Sequence, residues 1–280
     1  MKKLFVPMNY AIDFLTDQPE IQQVMDNIEE KEEESKTKAM GFIDHLEELR
    51  RRLLKAAITI VIFSAVAFYF ADKLVQFIRI PLGDEIKLYN IQVTGAFYAY
   101  MKIAIITGII VSLPVVFYQM WAFIAPGLYK REKLTILPLV IISTILFLIG
   151  AAFCYIMVLP LAFEFLMSFS EGQVINNITI GSYISFVGMM LVAFGCGFQL
   201  PIIAYFLGRM GIITSSMLSK ARRYAVVGIL VAAAIITPPD VFTQVLLAFP
   251  LYILYEISIL VVKLTGRREK KELEEENITE

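Results

Sequence analysis

Long stretches without a charged residue are the feature that most limits what this chain can fold into. A helix needs about 20 apolar residues to cross the hydrocarbon core of a bilayer. Three charge-free intervals exceed that length: Ile103–Tyr129, Leu134–Phe163 and Tyr183–Leu207. A fourth, Leu53–Ala71, fits one span if the charged head of Lys55 extends to the interface. Hydrophobic residues make up 58% of the 280 residues, against about 45–50% in soluble domains. The sequence therefore predicts an all-α protein that crosses a membrane several times.

Two further predicted spans, near the C-terminus, are shorter. Between Arg223 and Asp240 a double proline ends any helix, which leaves about 14 residues, or about 21 Å of helix. The next interval starts at Val241 and meets Glu256 after 15 uncharged residues. We therefore expect six transmembrane helices, with short helices five and six. Such a hairpin either thins the bilayer locally or lies in a polar concavity. The alternative is that its ends extend to the headgroups with no functional consequence, and the sequence leaves both explanations open.

The distribution of Lys and Arg predicts the orientation of the spans, because basic loops stay on the cytoplasmic side. Basic residues cluster before span one, between spans two and three, between spans four and five, and after span six. The segment 164–182 and the surroundings of Asp240 contain none, whereas the first outer loop carries Lys73, Arg79 and Lys87. We expect both termini on the cytoplasmic side of a bacterial inner membrane.

Composition divides the chain into three regions. Residues 1–39 include a run of Glu and Lys that cannot bury enough apolar surface to offset its ordering entropy, so we expect a polar, largely flexible extension. Residues 40–263 form the predicted six-span membrane domain. Residues 264–280 form a charged cytoplasmic tail.

Charged residues at the start of span one are the first candidate site. Glu48 has Arg52 four residues later, the spacing of a helical ion pair. Glu132 lies among basic residues in a loop on the same predicted face. Two such carboxylates suit bidentate binding of guanidinium groups. The alternative is a solvated, salt-bridged collar at the headgroup level, in which each pair contributes little.

Polar residues inside the spans are the second candidate. Gln199 lies within predicted span four, and Glu256 lies nearer the inner end of span six. Intramembrane polar groups usually face the bundle interior or a cavity and are functional candidates by default. For Gln199, a purely structural hydrogen bond between helices is an equally good explanation.

The residues argue against enzyme chemistry, metal binding and nucleic-acid binding. The chain has one histidine, His45, and its two cysteines, Cys154 and Cys196, lie in apolar runs with no further ligand at metal-binding spacing. No nucleophile elbow, zinc-protease motif or P-loop is present in the sequence. We expect no catalytic residue, no cofactor and no metal.

Five segments together resemble the TatC family of Sec-independent (twin-arginine) protein translocases. They are HLEELRRRL from His45, the Pro81 position, SLPVVFYQMWAFIAPGLYKREK from Ser112, FGCGFQLPI from Phe194 and TPPDVFTQVLLAFPLYILYEISI from Thr237. The resemblance implies a concave, glove-shaped bundle. It implies a twin-arginine signal-peptide receptor that exports folded proteins using the proton motive force. It also implies TatA/TatB-type single-span partner subunits, contact with membrane lipid and self-association in a multimeric complex.

The same resemblance implies roles for particular positions. The signal-peptide site would be formed by Glu48, Glu132, Arg50, Phe123, Pro126 and Tyr129. The groove and its partner contacts would involve Gln199, Tyr155, Pro81, Asp240 and Glu256. Two features depart from the family pattern: residues 1–39 exceed the usual leader, and Gln199 stands where many members have Glu. A hydrogen-bonding role at position 199 fits both residue types.

An ion-coupled secondary transporter of small solutes is the alternative function. It would use Gln199, Glu256 and Asp240 as a substrate or proton path. Transporters of this kind are typically built from inverted repeats with broken helices in corresponding halves, and the sequence has no convincing internal repeat.

Overall fold

A single long helix carries both the charged cluster and the first apolar stretch. The computed structural model describes residues 45–83, 86, 88–124, 136–168, 178–237 and 240–279, with side chains as far as Thr265. Helix α1 is His45–Tyr69. The chain forms two units, Met1–Leu54 and Lys55–Glu280. The described part of the first unit is therefore the charged start of α1.

The second unit continues α1 and adds a series of helices. They are α2 (Ala71–Arg79), a 3-10 turn (Ile80–Leu82), α3 (Gly95–Ile124), α4 (Ile136–Phe153), a π-helical turn (Cys154–Val158), α5 (Leu159–Ser168), α6 (Ile180–Gly197), α7 (Leu200–Arg209), α8 (Ser215–Ile236) and α9 (Val241–Thr279). Within the described ranges, β structure is limited to one isolated parallel bridge between Tyr89 and Thr179. This bridge ties the connection after α2 to the start of α6.

Five helical stretches in the described residues are long and apolar enough to cross a membrane. They are His45–Tyr69, Gly95–Ile124, Ile136–Ser168, Ile180–Arg209 and Val241–Thr265. The first four overlap the four long apolar intervals of the sequence, and the fifth contains the last of the predicted spans. The predicted all-α protein with several membrane spans is confirmed.

The last two helices are longer than the charge-free intervals that predicted them. α8 has 22 residues because it begins at Ser215, where the Thr214 hydroxyl caps it by accepting a hydrogen bond from the Met217 N–H. α8 is not among the five apolar stretches, since its first half carries three basic side chains, so the count of six spans stays a prediction. α9 passes Glu256 without a break and continues into the charged tail as far as Thr279.

A π-helical turn interrupts the helix that runs from α4 into α5. The turn spans Cys154–Val158 and is followed by Pro160 in the first turn of α5. Proline has no N–H and its ring crowds the carbonyl four residues earlier, here that of Ile156. The wider turn gives that carbonyl room, so the chain passes the proline while remaining helical.

Close helix packing forms the core of the second unit. The largest fully buried side chains include Tyr183, Phe194 and Met190, all on α6. Where α3 passes α1, a Cβ on Gly108 would lie 2.7 Å from the Cα of Ser64. Only glycine permits this approach, which is typical of membrane bundles whose stability depends on van der Waals contact between backbones.

Candidate functional site

The charged start of α1 contains two helical ion pairs of different quality. The Arg52 guanidinium donates from Nε to Oε1 of Glu48 over 2.9 Å, and its Nη2 donates to the same oxygen. The side chains of Arg52 and Glu48 are 23% and 35% exposed. The parallel pair Arg51–Glu47 is 3.5 Å apart, with side chains 68% and 64% exposed. Glu48 is thus the better shielded carboxylate of the two.

The other residues predicted for the signal-peptide site are only partly described. Arg50 is exposed on α1, and Phe123 is partly buried in the last turn of α3. Pro126, Tyr129 and Glu132 lie outside the described residues.

Gln199 lies at the break between α6 and α7, where it forms part of a buried polar cluster. Its Nε2 donates to the backbone carbonyl of Ser143 on α4 over 3.0 Å. The Ser143 hydroxyl accepts from Trp121 Nε1 on α3 over 2.9 Å. The two polar side chains Gln199 and Ser143 are 6% and 0% exposed. These bonds join three helices, as expected if Gln199 makes a structural hydrogen bond between helices. Neither Ser143 nor Trp121 had been a candidate from the sequence.

One polar atom of this cluster has no partner. Oε1 of Gln199 is buried and accepts no hydrogen bond from the described residues. A buried acceptor without a hydrogen bond lowers the stability of the folded state by about 1–3 kcal/mol. Among the described residues, the atom therefore remains an unpaired acceptor enclosed within the bundle.

Pro81 and Tyr155 are brought together through one carbonyl group. Proline has no N–H, so residue 81 cannot give the carbonyl of Phe77 its helical hydrogen bond. That carbonyl accepts instead from the Ile80 N–H at the end of α2 and from the Tyr155 hydroxyl over 2.6 Å. The Tyr155 ring also stacks on Phe77 at 4.9 Å between centroids. The two positions thus act together in fixing the end of α2 against the π-helical turn.

A cavity of about 560 Å³ adjoins this contact. Its lining is Ile80, Pro81, Leu82, Gly83, Ile86, Tyr155, Ile156, Pro160, Phe163, Glu164 and Met167. Apart from the Glu164 carboxylate, the described lining side chains carry no charge. Tyr183 stabilises the same region from α6, because its hydroxyl donates to the carbonyl of Ile78 over 2.6 Å.

Asp240 caps the final helix. Its Oδ1 accepts from the backbone N–H of Thr243 over 2.7 Å, and its Oδ2 accepts from the Thr243 hydroxyl. Before residues 238–239, the Thr237 hydroxyl donates to the Ala233 carbonyl at the end of α8 over 2.9 Å. Thr237 therefore helps to end one helix and Asp240 helps to start the next. A partner contact at Asp240 stays a prediction.

Glu256 is paired within the chain. Arg222 on α8 donates from Nε and Nη2 to its two carboxylate oxygens over 2.8 and 3.0 Å, and the Tyr252 hydroxyl donates to Oε1 over 2.9 Å. Tyr255 adds a hydrogen bond to the Leu218 carbonyl over 2.7 Å. These contacts join α8 to α9. In the sequence, Arg222 was only one of the basic residues between predicted spans four and five.

The described residues contain no cluster suited to a metal ion. No group of three or more His, Cys, Asp or Glu side chains in these ranges is placed to hold one. Cys154 is buried, Cys196 is exposed, and neither forms a disulfide.

Comparison with known proteins identifies relatives over most of the chain. Residues 44–250 match the family model for the Sec-independent protein translocase protein TatC. A TatC protein of Desulforapulum autotrophicum is 39% identical over 243 residues, which cover 85% of this chain and 89% of that protein. A TatC protein of Aquifex aeolicus is 42% identical over 237 residues, which cover 83% of this chain and 98% of that protein.

A solved structure agrees with these relatives. The crystal structure of a twin-arginine translocase receptor, TatC, aligns with a TM-score of 0.74 at 42% sequence identity. The alignment covers 79% of this chain and 99% of the solved chain. These matches favour a protein translocase component over a small-solute transporter, and they agree with the prediction that the chain is not an enzyme.

Proposed function

The chain belongs to the TatC family of Sec-independent protein translocases, and we propose that Glu48 binds the paired arginines of a twin-arginine signal peptide. The protein is thus the receptor and core subunit of a Tat translocase, a component of protein transport. The observation that carries the proposed site is the half-shielded Glu48 carboxylate, which already holds a guanidinium in this structure.

The chemistry of Glu48 suits arginine better than lysine. A carboxylate and a guanidinium form two parallel charge-assisted hydrogen bonds, whereas an ammonium group acts as a point charge. Both bonds from Arg52 end on Oε1, so Oε2 takes no part in the internal pair. A ligand guanidinium that bonds to both oxygens forms the bidentate arrangement, which Arg52 does not form. Glu132 is proposed as the second carboxylate, with Arg50, Phe123, Pro126 and Tyr129 shaping the site.

We propose that partner helices contact the protein at the groove residues predicted from the sequence. Oε1 of Gln199, which has no partner among the described residues, is enclosed in the bundle, so a donor on a TatA/TatB-type single-span subunit or on the signal peptide would reach it only where the surrounding helices move apart. Tyr155, Pro81, Asp240 and Glu256 are the further proposed contacts. Each of these four already has a structural role within the chain, so any partner contact would add to that role.

The membrane arrangement follows from the charges. We propose that the chain lies in the bacterial cytoplasmic membrane with both termini inside, because most of its Lys and Arg fall on one set of loops. Glu48 then faces the compartment in which signal peptides arrive. Export of folded cargo would use the proton motive force and a complex of several copies of this chain.

Photo-crosslinking from a probe beside Glu48 in native membranes tests the proposed site. We expect crosslinks to a twin-arginine signal peptide and far fewer to its twin-lysine version. Glu48→Ala is expected to abolish the difference, and Glu47→Ala serves as the matched control because Glu47 lies one position away in the looser pair. Equal crosslinking of the two peptides in folded protein would contradict the proposal.

A further inference from the structure

Two ion pairs with identical spacing at the start of α1 are held very differently. Arg52 gives two hydrogen bonds to Glu48 and is 23% exposed, whereas Arg51 is 68% exposed and 3.5 Å from Glu47. Spacing alone does not explain this difference, since both pairs are four residues apart on one helix. The tighter pair involves the carboxylate proposed above to bind arginine.

We propose that Arg52 is an internal placeholder, which occupies the arginine-binding carboxylate of Glu48 until a signal-peptide guanidinium displaces it. This inference rests on the proposed function of Glu48. The placeholder has the same chemistry as the ligand, and a guanidinium stays charged at any physiological pH. The Glu48 carboxylate is therefore never left without a counter-charge, either before or after the peptide binds.

The geometry makes the placeholder weaker than its replacement. Arg52 reaches Glu48 along its own helix and bonds to one oxygen only, Oε1. A peptide arginine approaches from outside the helix, so it is free to pair with both oxygens in the stronger bidentate arrangement. After displacement, the flexible stem of Arg52 lets its charged head move to water or to lipid headgroups.

Such competition multiplies the affinity for the peptide by the fraction of time that Glu48 is free of Arg52. Helical pairs of this kind are weak. Removal of the pair should therefore tighten peptide binding only modestly, by about 2- to 5-fold. The loss of one positive charge near a cationic ligand also tightens binding, and Arg51→Gln measures that contribution separately.

The test is a binding titration of purified full-length protein with a fluorescent synthetic signal peptide that contains two arginines. The variants are Arg52→Gln, Arg51→Gln, Glu48→Gln and the double variant Glu48→Gln with Arg52→Gln. Arg52→Lys keeps the charge but replaces the two donor nitrogens that contact Glu48 by one, so it should give an intermediate affinity. All variants should fold, because the pair is partly exposed and contributes little to stability.

Arg52→Gln should bind the peptide about 2- to 5-fold more tightly than Arg51→Gln does. In the Glu48→Gln background, the further change of Arg52 should have no greater effect than the loss of one charge. Equal affinities for Arg52→Gln and Arg51→Gln would overturn the placeholder, and so would weaker binding by Arg52→Gln. If Glu48→Gln alone leaves peptide binding unchanged, the proposed function of Glu48 fails, and the placeholder fails with it.

Discussion

The contact between α1 and α3 at Gly108 gives a prediction whose sign follows directly from the geometry. A methyl group at Gly108 would lie 2.6 Å from the backbone nitrogen of Ser64 and 2.7 Å from its Cα. Carbon atoms in ordinary contact are about 3.5–4.0 Å apart. The atoms in the way belong to the backbone, so a rotamer change cannot relieve the overlap. Gly108→Ala must therefore push the two helices apart by roughly 1 Å.

The expected cost is that of overpacking. An added methylene in a tightly packed interior destabilises a protein by about 1–3 kcal/mol. Helix propensity acts in the opposite direction, since alanine in a helix interior is favoured over glycine by about 1 kcal/mol. Gly228 on α8 isolates this second effect, because no atom lies within 4 Å of a Cβ built there.

The measurement compares thermal unfolding of Gly108→Ala and Gly228→Ala with that of the unchanged protein in the same detergent. We expect Gly228→Ala to leave the protein equally stable or slightly more stable. Gly108→Ala should be less stable than Gly228→Ala by about 1–3 kcal/mol. A Gly108→Ala variant as stable as Gly228→Ala would refute the close approach of α1 and α3.

Three further predictions concern the polar contacts. Tyr155→Phe removes the hydrogen bond to the Phe77 carbonyl while keeping the ring stack, so stability should fall by about 0.5–1.5 kcal/mol. Protease cleavage of the connection after α2 should increase, and unchanged cleavage would contradict this role. Gln199→Leu removes a donor and an unpaired acceptor together, so the free energy of unfolding should change little. Crosslinking to partner helices should drop, and full crosslinking would count against the proposed contact. Arg222→Ala removes the ion pair with Glu256, so it should loosen the contact between α8 and α9 and speed up hydrogen exchange in α8. Arg223→Ala is the control, and equally fast exchange in that variant would argue against the ion pair as the cause.

The positions of the spans were predictable because the bilayer imposes one simple requirement on the sequence. An apolar interval of about 20 residues is needed to cross the hydrocarbon core, and four such intervals were visible, three of them free of charge. Helix ends were less predictable, since hydrogen bonding continues after the hydrocarbon ends. α1 starts at His45, well before the apolar stretch at Leu53, and α9 continues past Glu256.

Contacts within one helix were also predictable from spacing, whereas contacts between helices were not. The Glu48–Arg52 pair follows from four residues of separation on one helix. The Arg222–Glu256 pair joins residues 34 positions apart, and Tyr155 meets Phe77 across 78 positions. Such pairs depend on how two helices align, and a single sequence contains no measure of that alignment.

The most direct test of the account is the affinity of the purified protein for a twin-arginine signal peptide, measured for the unchanged protein, Glu48→Gln and Glu47→Gln. Glutamine keeps the size of glutamate and removes the charge that a guanidinium needs. Glu48→Gln is expected to weaken binding at least tenfold, the factor that corresponds to about 1.4 kcal/mol, while Glu47→Gln should change it little. Equal binding by all three proteins would contradict the claim that Glu48 is the receptor carboxylate.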